Sequence, residues 1–205
     1  DSEDHKSNKY ITNALLRENG QRNYIMNGII NADKDDFILI SDVDEIPNLD
    51  SVNFNKINKK IMLFRQNMFY YKFNLFLPEI IWAGTKGCKK KDLISPQKLR
   101  NEKIKNYPFW RLDKVYKKKF NIIENGGWHF TYIKTLSDIK KKIKSFAHTE
   151  FNKDKYLDDV YLEQKINNCE DLFERGFEYK KIDINQKNLP IYLVDNANKY
   201  SSWLL

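Results

Sequence analysis

The chain has 205 residues, 41% hydrophobic and 14% aromatic, and carries 36 Lys and Arg against 28 Asp and Glu for a formal charge of +8. A fold of this length buries roughly 70–75% of its unfolded surface, so it needs no covalent staples, and a single domain over residues 1–205 is expected. The apolar runs fall far short of the ~20 residues that span a bilayer, and Cys88 and Cys169 lack the spacing of a zinc knuckle or disulfide framework.

Much of the positive excess lies in Lys89–Lys91, Lys117–Lys119 and Lys140–Lys142. Such runs read either as solvated faces or as a surface for a polyanion, an acidic membrane or a phosphorylated substrate. The chain opens on Asp1 through a polar stretch with no apolar signal-peptide core. The expectation is that something upstream has been removed or left out, and that the protein is cytoplasmic or peripheral to a membrane.

Residues 1–9 are polar and expected to fray. From Glu18 to Ala32, Ile25, Met26, Ile29 and Ile30 recur at helical spacing. Phe37 to Ile40 then form a short apolar run, read as a strand buried on both faces. It delivers Asp42, Asp44 and Glu45 into a loop that Pro47 keeps from continuing as sheet. Three carboxylates within four residues repel one another unless a cation sits among them, and hard oxygen ligands suit Mg²⁺ or Mn²⁺. The alternative is a solvated turn. Position after a buried strand favours the metal-diphosphate reading, because ligands of open α/β sheets bind beyond the carboxyl ends of strands, and the downstream sequence decides between the two.

Lys60 to Leu77 alternates apolar residues with a period of two, which predicts two strands. Trp82, Gly84 and Gly87 read as a turn-rich stretch, in which Trp82 either stacks on a sugar or is buried. The segment from Trp82 to Trp110 is the expected acceptor lining. Ser95-Pro96 caps a short helix through about Glu102. Gly126-Gly127 marks a sharp turn or a close approach, and Trp128, Phe130 and Tyr132 read as a strand leaving it. His129, beside that turn, is a structural residue or the third ligand that the carboxylate pair lacks. A weak capping signal at Thr135 opens a helix with Leu136, Ile139, Ile143 and Phe146 on one face. Another helix is expected over Asp154–Asn167 and a strand over Phe177–Ile184.

Arg17-Glu18 with Gln21-Arg22, Ser41 to Pro47 (SDVDEIP), Ser95 to Arg100 (SPQKLR), Gly126 to Phe130 (GGWHF) and Lys144 to Phe151 (KSFAHTEF) occur in that order over nearly the whole chain. In this the sequence resembles glycosyltransferase family 17, which includes the enzyme adding the bisecting N-acetylglucosamine to N-glycans. The resemblance implies a GT-A type, Rossmann-like α/β fold with a mixed sheet flanked by helices. It also implies a divalent ion, Mn²⁺ or Mg²⁺, a UDP-sugar donor, a glycan acceptor and inversion at the anomeric carbon.

Mapped onto these positions, the family pattern makes Asp42 and Asp44 the metal-diphosphate motif, with Asp44 the direct ligand and His129 completing the coordination. Arg22 and Gln21 lie with the nucleotide. For the general base an inverting transfer needs, Glu150 is the first choice and Glu45 the second. One departure is expected from the family pattern: the first nucleotide-binding strand of the GT-A fold would fall ahead of Asp1, as in a trimmed longer protein, or be absent, as in a reduced form. Two rival readings are a phosphatase of the haloacid-dehalogenase type, which the Glu45-Ile46 after Asp44 disfavours, and a non-catalytic carbohydrate- or polyanion-binding module.

Overall fold

A computed structural model of the chain describes residues 2–103, 120–145 and 154–205. In chain order it contains α1 (Ser2–Asn23), β1 (Phe37–Ile40), β2 (Glu45–Pro47), β3 (Ile61–Tyr70), β4 (Leu75–Lys89), α2 (Pro96–Asn101), β5 (Phe120–Ile123), β6 (Gly127–Thr131), α3 (Leu136–Ser145), α4 (Asp159–Asn167), β7 (Lys180–Lys181) and α5 (Ile191–Asp195). The described strands form one seven-stranded sheet, ordered β1-β4-β3-β6-β2, with β5 on β3 and β7 on β4. β3 pairs parallel with β6, whereas β1–β4 and β2–β6 are antiparallel, so the sheet is mixed, as the α/β reading expects. Among the described residues no helix is long and apolar enough to cross a membrane. The chain divides into two compact units, and β3 and β4 run through both.

The first unit comprises Asp1–Ile40, Asn53–Leu63 and Thr85–Ile122. Its core is Ile38, Ile40, Ile61, Leu63, Cys88, Leu99 and Phe120. β1, an end strand paired to β4, is not buried on both faces: Ile38 and Ile40 face the core, and Phe37 and Leu39 on the other face are half-covered. The helix of the N-terminal region also differs from expectation, starting at Ser2 and ending at Asn23, after which Tyr24–Ile29 tighten into a 3-10 turn. Its end is tied to α2, where Asn23 Oδ1 accepts the Gln97 N–H at 3.0 Å. α2 forms as read: Ser95 accepts the Lys98 N–H at 3.2 Å and Pro96 occupies the first turn. The buried Lys86 ammonium donates to the carbonyls of Arg100 and Glu102 at the helix end.

The second unit comprises Ser41–Val52, Phe64–Gly84 and Ile123–Leu205. β3 is the strand that is buried on both faces. Met68 and Tyr70 join a core with Leu75, Leu77, Ile139, Ile143, Leu162 and Leu172, while Phe69 packs with Phe130, Leu189 and Leu193. Leu136, Ile139 and Ile143 of the α3 stripe therefore land where their spacing predicts, Phe146 lies outside the described residues, and Thr135 Oγ1 accepts the Asp138 N–H at 3.3 Å. Three expectations need correction. Trp82 and Gly84 lie inside β4 rather than in a turn, because Gly84 is needed for room: a Cβ there would run into the Gln66 side chain. Pro47 does not keep the chain out of the sheet, since β2 is a short end strand and tolerates a missing donor. The strand expected over Phe177–Ile184 shrinks to the two residues of β7.

Candidate active site

The acidic turn belongs to the second unit, and local hydrogen bonds explain its shape. The Glu45 N–H donates to Asp42 O at 3.0 Å, and the Asp42 N–H donates back to Glu45 Oε2 at 3.1 Å. Val43 is fully exposed at the tip of the turn. The Phe130 N–H donates to Asp44 O at 2.8 Å, fastening the turn to β6.

Gly126 and Gly127 make this attachment possible. β2 and β6 pair with Glu45 opposite His129 and Pro47 opposite Gly127. Gly127 has φ of +127°, a region costly for any side chain, and a Cβ there would collide with Ile46 O. The double glycine thus serves close approach of two backbones, and the result is Glu45 and His129 side by side.

His129 is buried between carboxylates. Its Nε2 lies 3.8 Å from Asp44 Oδ2 and its Nδ1 3.9 Å from Glu45 Oε1. Nδ1 makes no hydrogen bond with the described residues. Burial pushes the imidazole below its ordinary value, Asp44, Glu45 and Asp42 pull it back up, and Lys142 adds to the depression. The neutral ring, which alone can be a ligand, is therefore favoured.

Glu45 has a fully buried carboxylate. Beyond the Asp42 N–H it accepts the Trp82 Nε1–H at 2.8 Å. Trp82 also packs its ring 4.7 Å from the imidazole, so the indole that binds Glu45 also walls one side of His129. Asp44 keeps about a third of its side chain exposed.

Whether this set suits a divalent ion can be tested on distance. Two ligands of an ion with bonds of about 2.1 Å lie no more than about 4.2 Å apart, and the 3.8 Å between Asp44 Oδ2 and His129 Nε2 falls within that limit. No group of three or more His, Cys, Asp or Glu side chains among the described residues converges to hold an ion alone. Asp44 and His129 are thus a pair that could reach one ion, with Asp42 in the same turn acting on His129 electrostatically. Mg²⁺-type ions are commonly held by one or two carboxylates, with water and substrate phosphates filling the remaining positions.

Of the residues singled out in the sequence, Asp42, Asp44, Glu45 and His129 come together in the second unit. Arg22 and Gln21 belong to the first, where Arg22 bonds to Glu18 at 2.9 Å and to Gln97, and Gln21 is exposed on α1. Glu150 and His148 lie outside the described residues. Two residues escaped the sequence reading. Trp82 reads in sequence as a loop residue, and its tie to Glu45 joins positions 37 apart. Lys142 reads as part of a charged run, yet it is half-buried with its ammonium 4.2 Å over the Tyr132 ring. Burial lowers its pKa, and Asp44 opposes that fall. Its place three residues after Ile139 on α3 was the available signal.

The other described lysines of these runs have structural partners. Lys89 and Lys91 pair with Asp35, Lys90 donates to the Ile30 and Ala32 carbonyls, and Lys140 and Lys141 pair with Asp159 and Asp138. Lys117–Lys119 lie outside the described residues. Among protein families, residues 2–205 match glycosyltransferase family 17. No curated protein and no solved structure matches the chain.

Proposed function

We infer the reaction from one premise: this chain belongs to glycosyltransferase family 17, which matches residues 2–205. It is accordingly a transferase with a sugar donor and an acceptor. We propose that the donor is a UDP-sugar, that the sugar is N-acetylglucosamine, and that it passes to a glycan hydroxyl with inversion, on a fold of the GT-A type. The observation that carries the reading is His129, buried and kept neutral, with Nε2 facing Asp44 across 3.8 Å.

In this mechanism Asp44 and His129 would hold Mn²⁺ or Mg²⁺, with Asp42 supporting the site from the same turn, and the bound ion would supply positive charge beside the departing diphosphate. Glu45 positions rather than reacts: its carboxylate is buried, bound by two donors and turned to the His129 nitrogen that would not face the ion. Arg22 and Gln21 attend the nucleotide. Glu150 takes the proton of the acceptor hydroxyl as its oxygen attacks the anomeric carbon from the face opposite the diphosphate. Glu45, the other carboxylate considered for that task, lacks access to an acceptor while its side chain stays enclosed.

A UDP-release screen across nucleotide sugars, with and without Mn²⁺, tests the reading against Asp44→Ala. Release that requires both the ion and Asp44 is expected. Release at equal rates without Mn²⁺, or from the Asp44→Ala protein, would contradict it.

A further inference from the structure

A cavity of about 600 Å³ opens in the second unit, apart from the acidic turn, and no part of the mechanism above uses it. Its walls combine an apolar surface from Leu136, Ile166 and Trp203 with polar groups from Thr135, Asn167 and Glu163. The volume lies within the range of small-molecule pockets. Trp203 has a fixed backbone, since its carbonyl accepts the Phe73 N–H at 2.9 Å.

We propose that this cavity binds neutral sugar units of an oligosaccharide acceptor, at a distance from the reacting hydroxyl; the assignment to the acceptor rests on the transferase reading above. The chemistry of the lining selects the ligand class. A sugar ring presents an apolar C–H face and a rim of hydroxyls, which calls for an aromatic or aliphatic wall beside amide, hydroxyl and carboxylate partners. An anionic ligand is poorly served. Of the two lysines in the wall, Lys72 already donates its ammonium to Ser202 O at 2.8 Å, and the wall also carries the Glu163 carboxylate.

The position fits an extended acceptor. Tyr71 in the cavity wall packs its ring 6.0 Å from that of Tyr132, and the Lys142 ammonium stands 4.2 Å over the same Tyr132 ring.

The test is an array of printed neutral, sulfated and phosphorylated glycans, probed with the wild-type protein, Trp203→Ala and Asn167→Ala. The expected result is retention of the wild type on a subset of neutral glycans, reduced about tenfold by Trp203→Ala and several-fold by Asn167→Ala. Asn167 is exposed and its truncation leaves the fold intact, which guards against a Trp203→Ala protein that fails to fold. Retention confined to sulfated or phosphorylated glycans, no retention on neutral ones, or neutral binding undiminished in both variants would overturn the proposal. Because binding is read without turnover, failure of every donor in the UDP-release screen would sink the transferase reading and leave this result standing.

Discussion

Replacing Glu45 by Gln separates a positioning role from a catalytic one. The wild-type carboxylate accepts two hydrogen bonds, from Trp82 Nε1 at 2.8 Å and from the Asp42 N–H at 3.1 Å, with its side chain fully enclosed. The amide retains one acceptor oxygen and presents an NH₂ group to the other donor. One charge-assisted bond is lost, at about 1.5–3 kcal/mol, and a buried donor is left facing another donor, at about 1–3 kcal/mol before relaxation. A net loss of about 2–4 kcal/mol is expected, which for a chain of this size lowers Tm by about 5–15 °C. The same change removes one of the carboxylates that raise the His129 pKa, so that pKa should fall further below its ordinary value. Thermal melts and an NMR titration of the His129 ring measure both effects. A Glu45→Gln protein with unchanged Tm and unchanged His129 titration, but with transfer abolished, would refute the positioning argument and return Glu45 to the role of base.

Other outcomes follow from the same geometry. Gly127→Ala places a Cβ against Ile46 O at φ of +127°, and should destabilise by about 3 kcal/mol or more; a melt within about 1 °C of wild type would contradict this. His129 has a depressed pKa in the folded state, so the unfolded chain takes up its proton first. Stability from this residue is therefore complete above about pH 6.5 and is lost as pH falls through the folded value. Tm should drop over that window in the wild type more than in His129→Gln, and parallel curves would refute the assignment. Burial, with help from Asp92, pushes the Cys88 thiol up to about 11. Iodoacetamide near neutral pH should accordingly label the half-buried Cys169 before Cys88, as read by peptide mass mapping; equal labelling would show the first unit to be open.

What the sequence disclosed was mostly local. The aspartates after an apolar strand, the proline-capped α2 and the apolar stripe of α3 are written in neighbouring residues, and all three appear in the structure. The double glycine was legible as a close approach, although not as the approach of β2 to Gly127. What escaped depended on partners distant in sequence. β1 looks in sequence like a strand covered on both faces because its four residues are all apolar, yet only the face of Ile38 and Ile40 meets the core. Gly84 and Gly87 looked like turn residues but lie within β4, where side chains of other strands occupy the space of a Cβ. The clamp of Trp82 on Glu45 and His129 has no local signature, and only the pairing of strands creates it.

The central claim is that Asp44 and His129 hold a divalent ion that in turn holds the diphosphate of the donor. Calorimetric titration of UDP in the presence and absence of Mn²⁺ tests it most directly, using the wild type, Asp44→Ala and His129→Ala. The account predicts binding that needs Mn²⁺ and falls by about tenfold or more in each variant, as expected when one of two protein ligands is lost. UDP bound equally well without Mn²⁺, or with undiminished affinity by both variants, would contradict it.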